Sequence, residues 1–381
     1  MNFSTNLKKV SGSITAQIFA EAQKLQSQGK KILHLEIGQP DFKPIDEIIQ
    51  ATKDAIAENT QYTVSSGIPQ LRKSVMSYYN QYLHQPLDPL TNSIITSGGK
   101  MGIFASLWSV VNPGDNVIIL NPSWVSYVEI VKSLGANPQF IETDYNFNFN
   151  EDEFLSIIDN KTKACVLNSP CNPTGGTITK KNLQKLFDIC SSHNILIISD
   201  EMYNEYLYDD NKHHSLGSIP NWEETGVILN GLSKTFSMTG YRLGYVIGNE
   251  EIIKEILKIN QLTTSCPTNF AQQAGVVAFQ YFDKMKQLIN NIMPERRKLT
   301  VDLLSDLPVE FEAPKGAFYN WFKLPNIDNS AEWSKQLLLQ KGVAVTPGSA
   351  FGPAGEGYIR LSFATSNEII EEGIALIKEM I

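Results

Sequence analysis

Gly231-Leu232-Ser233-Lys234-Thr235-Phe236-Ser237-Met238-Thr239-Gly240-Tyr241-Arg242-Leu243-Gly244-Tyr245 begins where an apolar run, Val227 to Leu229, ends as a strand would. It sets one lysine among small and hydroxylated residues and places a second cation, Arg242, further along the same turn. A primary amine in an apolar pocket is driven toward its neutral, nucleophilic form, because burial disfavours the ammonium and a nearby cation disfavours it further. Such an amine condenses with an aldehyde to a Schiff base, and the arginine is suited to a phosphate. Pyridoxal phosphate carries both groups. The competing reading is a solvated lysine in a loop, with the arginine in a surface ion pair.

Outward from this stretch, Asn116 to Leu120, Ala164 to Leu167, Ile195 to Ser199 and Tyr245 to Ile247 are further short β-rich runs, apolar on both faces. They predict central strands of a largely parallel sheet covered by helices. Thr179 reads as an N-cap, with Leu183, Leu186, Phe187 and Cys190 at helical spacing behind it, which makes a βαβ unit. Pro69 fits the first turn of a helix carrying Leu71, Val75, Tyr78, Tyr79 and Tyr82 on one side. Ser13 to Gln28 reads as an amphipathic helix, and a long helical stretch runs from about Gln272 to Leu304. Strand and turn signals follow at Gly316 to Phe322, Val343 to Val345 and Gly357 to Phe363. The expected class is α/β: a large domain over 39–280 with a mostly parallel central sheet, and a small α+β domain over 281–381 joined by the N-terminal arm and helix, 1–38.

The 42% hydrophobic and 19% charged composition of the 381 residues is that of a globular protein. A net charge of -8 gives no electrostatic case for nucleic acid or anionic membrane, so an anionic ligand must be captured locally. Met1 to Lys9 is polar, without the apolar core of a signal peptide, and no run of about twenty apolar residues occurs; a cytoplasmic location is expected. The four cysteines follow no CxxC spacing and are expected to be reduced. The five histidines form no metal-ligand pattern, and the pair His213-His214, among Asp209, Asp210 and Lys212, reads as a solvated loop.

Five segments bear on the chemistry of Lys234. Thr96-Ser97-Gly98-Gly99-Lys100 precedes a helical pattern, and glycines at a helix N-terminus let backbone N–H groups approach an anion. Asn121-Pro122-Ser123-Trp124 follows a strand and brings Trp124 to the carboxyl edge of the sheet, where it can stack on a planar ring or simply pack into the core. Asn172, fixed by Pro170 and Pro173, can donate its amide to a phenolate oxygen or merely shape a turn. Asp200 closes the strand Ile195 to Ser199, where its carboxylate can keep a pyridine nitrogen protonated or cap a helix; Tyr203 lies near enough to bond the ring hydroxyl. Toward the C-terminus, Arg360 sits in the β-like alternation Gly357 to Phe363, which calls for a bound carboxylate or an internal salt bridge.

Taken together, the segments IGQPDF, YTVSSGIPQLR, SGGK, NPSWVSY, NPTGG, SDEMY, SKTFSMTGYRLGY, GAFY, VTPGSAF and IRLSFATS occur in the order found in class I aminotransferases of pyridoxal phosphate fold type I. Over nearly the whole chain from Ser13 the sequence resembles the branch that holds many bacterial aspartate and prephenate aminotransferases. The resemblance implies that Lys234 bonds the cofactor and shuttles the proton, and that Asp200 partners the pyridine nitrogen. It implies that Tyr203 and Asn172 bond the ring oxygen and that Trp124 stacks on the ring. Arg242, Gly99 and the Lys100 backbone would bind phosphate, and Tyr62 would reach the phosphate of a neighbouring subunit in a homodimer. Arg360 and the Gly38 backbone would hold the substrate α-carboxylate, with Trp124 and Asn172 beside it.

In that branch a lysine after the Gly-Gly pair and hydroxyls of the first helix meet the distal carboxylate of a dicarboxylic substrate. Lys100, Ser13 and Thr15 match, which implies an acidic amino acid such as aspartate or glutamate as donor to a 2-oxo acid in a ping-pong exchange. Gly12, Val128 and Gly231 depart from the usual proline, proline and serine. The rival is a fold type I enzyme in which the Cα carbanion eliminates a β or γ substituent or cyclises. A ligand-sensing regulator would need an added DNA-binding domain, for which neither end is expected to leave room, and a nicotinamide dehydrogenase would need a glycine fingerprint after a strand, which this sequence does not offer.

Overall fold

The computed structural model describes residues 3–12 and 14–381. In chain order the first strands are β1 (Leu33–His34), β2 (Ser93–Thr96), β3 (Asn116–Asn121), β4 (Asn137–Glu142), β5 (Thr162–Asn168), β6 (Leu196–Asp200), β7 (Gly226–Gly231) and β8 (Gly244–Ile247). The remainder are β9 (Glu310–Phe311), β10 (Tyr319–Lys323), β11 (Val343–Ala344), β12 (Thr346–Pro347) and β13 (Tyr358–Ser362). Seven of them form one sheet in the order β2-β8-β7-β6-β5-β3-β4. Pairing is parallel from β7 to β4, whereas β8 runs antiparallel to both β7 and β2. The architecture is α/β, as expected, with all five anticipated strands present.

Alternation of side chains explains why these strands read as apolar on both faces. Val117, Ile119, Val166, Ile198 and Leu229 enter one buried cluster, and their neighbours Ile118, Leu120, Cys165, Ile197 and Ile228 enter another across the sheet. The two edge strands escaped the sequence pattern. β4 contains Pro138, is exposed at both ends and needs only one hydrogen-bonded side. β2 is only four residues long.

Local signals set several helices. Thr179 caps Lys180–Ser192 by accepting from Asn182 N at 3.2 Å, and Pro69 occupies the first turn of Pro69–Tyr79. The long stretch predicted from Gln272 is two helices, Asn269–Gln280 and Phe282–Ser305, because Tyr281 between them leaves helical geometry at φ -107° and ψ 26°. β12, β13, β10 and β9 make a second, antiparallel sheet. The helix Ile14–Ser27 buries Ala22 and Leu25 against Ile32, Leu338 and Ala344, so both ends of the chain share one cluster. No helix among the described residues is long and apolar enough to cross a membrane.

One expectation is corrected. His213 is not in a solvated loop: its side chain is 3% exposed, and Nε2 bonds Glu201 Oε2 at 2.7 Å. Glu201 also accepts from Ser199 and Ser215 hydroxyls and Leu216 N, each at 3.0 Å, and from Tyr79 at 3.2 Å. Beside it, buried Glu205 accepts from Tyr78, Tyr82 and Lys286. Local charge pointed to solvent, while the partner that buries His213 stands at the end of β6. Removing one member of such a pair leaves the other short of a bond in a low-dielectric interior, at a cost of about 3 kcal/mol. His213→Leu is therefore expected to lower the thermal midpoint by several degrees in a scanning calorimeter, while the same change at exposed His84 leaves it in place.

Candidate active site

β5, β6 and β7 are in parallel register, Asn168 opposite Asp200 and Asp200 opposite Leu229, so their carboxyl ends open on one edge. A cavity of about 560 Å³ lies there. Of the residues singled out in the sequence, Thr15, Gly38, Gly99, Lys100, Trp124, Asn172, Asp200, Tyr203, Lys234, Arg242 and Arg360 line it. Tyr62 does not; it stands 87% exposed outside the cavity. Ser13 lies outside the described residues.

Lys234 leaves the end of β7 in a single helical turn, Leu232–Thr235, whose backbone is pinned where Lys234 O accepts from Tyr206 OH at 2.8 Å. Its Nζ donates to Gly38 O at 2.5 Å. Desolvation, followed by the charges of Arg360 and Arg242, pushes this amine down to about 8, against the opposing pull of Asp200. The solvated-loop reading does not survive that environment.

Asp200 is buried at the end of β6. Oδ2 accepts from Tyr127 OH at 2.7 Å and Oδ1 from Met202 N at 3.1 Å. Oδ1 therefore closes a turn and not a helix N-terminus, since the next helical element after β6 is Leu216–Ser218. Burial pushes the carboxyl up to about 6, with the Tyr127 and Met202 bonds opposing the rise. A cation beside it would reverse that balance.

Gly98 and Gly99 precede and open the helix Gly99–Trp108. Gly98 has φ +84°, and a Cβ on it would strike the Arg242 guanidinium, 2.9 Å from Cζ. A Cβ on Gly244 would come within 2.5 Å of Gly98 C and Gly99 N. Backbone, arginine and helix N-terminus thus close on one small volume, a cradle for an anion. Arg242 itself takes a left-handed conformation, φ 57° and ψ 50°, and donates to Thr239 O at 2.8 Å.

Trp124 meets Tyr127 edge-on at 5.5 Å, and Lys100 Nζ rests over the indole 4.9 Å from its centroid. Burial, then the charge of Arg242, lowers the Lys100 ammonium's hold on its proton. Tyr203 OH pairs with Tyr319 OH at 2.9 Å. Asn172 is held through its N–H by Asn168 Oδ1 and uses its own Oδ1 to accept from Arg360 Nη1, both at 2.9 Å. That leaves the Asn172 amide nitrogen to donate elsewhere.

Arg360 is 3% exposed on β13. Nη2 donates to Glu36 O at 2.6 Å and Thr346 Oγ1 at 3.0 Å, and the guanidinium lies over the Tyr319 ring at 4.5 Å. Among the described residues all its direct partners are neutral, so the internal salt bridge left open by the sequence is absent. The sequence pairs Tyr127 with Trp124 as aromatics at the sheet edge but does not foretell its bond to Asp200, and it gives no role to Tyr319 or Glu36; Tyr319 ends the GAFY segment and Glu36 sits two residues from Gly38.

Comparison with known proteins agrees with this geometry. The sequence pattern of the family "Aminotransferase class I and II" matches residues 30–377. The aspartate aminotransferase of Sulfolobus acidocaldarius is 36% identical across 100% of this chain and 98% of its own length. A (5-formylfuran-3-yl)methyl phosphate transaminase of Methanocaldococcus jannaschii is 39% identical across 96% and 95%. The structure of Thermus thermophilus aspartate aminotransferase with maleate superposes with a TM-score of 0.94 at 31% identity, covering 100% of both chains. A desolvated lysine, a carboxylate at the strand edge and a glycine-arginine anion cradle suit pyridoxal phosphate, and the family match over residues 30–377 with full-length relatives above 30% identity shows that the chain belongs to the class I and II aminotransferases, as a pyridoxal-phosphate-dependent transaminase of fold type I.

Proposed function

We propose that the donor is an acidic amino acid, aspartate or glutamate, and that the site residues divide the work as follows. When bound, pyridoxal phosphate supplies an aldehyde that condenses with an amine and a pyridine ring that takes up the electron pair left at Cα. Lys234 provides the resident amine for the Schiff base. Its place at the cavity wall at the end of β7, with Nζ on the Gly38 carbonyl, is the observation that carries this role. As a free amine Nζ would take the proton from the substrate Cα, hold it, and deliver it to the cofactor side of the former aldehyde carbon.

The remaining roles follow from position. Asp200, uncomfortable as a buried anion, is matched by a protonated ring nitrogen. Gly99, the Lys100 backbone and Arg242 suit the phosphate, Trp124 the ring face, and the Asn172 amide and Tyr203 the ring oxygen. Arg360, without a carboxylate of its own, suits the substrate α-carboxylate, with the Gly38 backbone beside it. Lys100, parked on Trp124 at the cavity wall with Thr15, supports recognition of a distal carboxylate. So do the relatives named for aspartate and the maleate, a dicarboxylate, in the Thermus structure.

Tyr62 fits a homodimer in which it reaches the partner's phosphate. Its 87% exposure is shared by neighbouring apolar groups, Val64 at 57% and Leu262 at 77%, which favours a face covered by a second copy. The division into 1–38 with 281–381 as a small domain, and 39–280 as a large one, is part of the same reading, supported by the cluster shared by the chain ends.

Three outcomes are expected. In the apo-protein, reductive labelling of Lys234 should titrate near pH 8, and Arg360→Gln should move that midpoint upward, because a cation that disfavours the ammonium is gone. In a scan of amino donors read by conversion of the bound cofactor to its amine form, aspartate or glutamate should lead, and Lys100→Met should lower kcat/KM for the acidic donor about tenfold or more while leaving alanine unchanged. Equal losses for both donors would remove the assignment of Lys100. Sedimentation should show a dimer, and Tyr62→Phe should weaken cofactor retention roughly tenfold without dissociating it.

A further inference from the structure

Residues 33–36 run extended between C-terminal strands: Leu33 N donates to Gly342 O at 2.8 Å, Leu35 N to Ala344 O at 3.0 Å, and Ser362 N to Leu35 O at 2.7 Å. Side chains of an extended chain alternate, so Leu33 and Leu35 are buried in the apolar cluster while His34 and Glu36 share the other side. There Glu36 lines the cavity. Its Oε1 bonds His34 Nδ1 at 2.8 Å. Among the described residues its Oε2 is buried without a partner, and so is Arg360 Nε.

The Glu36 carboxylate is near enough to Arg360 for its charge to strengthen the guanidinium's hold on its proton. A carboxylate and a guanidinium so placed, each with an unused atom, ordinarily close into a two-point ion pair. Here they do not. Glu36 gives Arg360 only its backbone carbonyl, at 2.6 Å, and its side chain is taken by the imidazole.

We propose that His34 is a positioning residue that keeps the Glu36 carboxylate off Arg360, so that the guanidinium remains open to the carboxylate of the incoming amino acid or 2-oxo acid. The proposal rests on Arg360 as the substrate-carboxylate site. Without the imidazole, both oxygens of a buried carboxylate lack partners, and Arg360 is the cation within its reach. Substrate then competes with a tethered anion whose effective concentration is high.

The test uses the holoenzyme, with KM for the amino donor and Kd for maleate by calorimetry as readouts. His34→Leu should raise both by about tenfold or more, the worth of one contested bond to a charged group. Adding Glu36→Gln should return both to within about twofold of the parent, since the competing charge is gone. His34→Gln, which can still donate to Glu36, should behave like the parent, and His34→Ala replaces the leucine variant if that does not fold. Parental values in the leucine or alanine variant, or a double variant as weak as the single, would overturn the proposal and leave His34 a packing role. Arg360→Gln separates this from the underlying assignment: unchanged KM and Kd there would remove Arg360 from substrate binding, whereas weakening there without any effect at His34 removes only the role of His34.

Discussion

Two cations are held in the interior of this protein without an ion-pair partner of their own, and the site is organised around that imbalance. Lys234 rests on a carbonyl oxygen, and Arg360 on an amide oxygen, a carbonyl and a hydroxyl. Neutral acceptors satisfy geometry and leave charge uncompensated, which is costly away from bulk solvent. The nearby carboxylate, Asp200, is itself under pressure to take up a proton. The protein alone is an incomplete set of charges, which under the proposed assignment a cofactor bearing a phosphate and a cationic ring, together with the carboxylate of a substrate, completes.

Holding such a set in place requires a rigid support, and the polar network beneath the cavity provides it. Buried Asn230 donates to Tyr79 OH, Glu201 O and Asn204 Oδ1, and accepts from Gly231 N at 2.6 Å. One amide therefore ties the residue that follows Asp200 to the turn that carries Lys234. With every member bonded, the network is stiff. The sheet contributes the remaining alignment, since parallel β5, β6 and β7 end together while antiparallel β8 returns Gly244 against the Gly98–Gly99 turn.

What was legible in the sequence follows the range of the interactions concerned. The central strands announce themselves because both faces are apolar, and Thr179 and Pro69 mark helix starts through bonds made within a few residues. Lys234, Asp200, Asn172 and Arg360 were chosen because each pairs an unusual local setting with a strand end or interior. Edge strand β4 stayed hidden because half of its backbone answers to solvent, and His213 was misplaced because Glu201 is remote from its charged sequence neighbours. The meeting of Tyr203 with Tyr319, and of Glu36 with Arg360, depends on how two ends of the chain converge, which no local window contains.

The cavity's cations sit inside a chain whose formal charge is -8. At physiological salt, fields from exposed charges fade over about 8 Å, so an approaching anion feels the attraction of Lys100, Arg242 and Arg360 only close to the cavity they line. Capture of an anion by this protein consequently depends on the few cations of the cavity wall and not on a basic surface that gathers ligands from a distance.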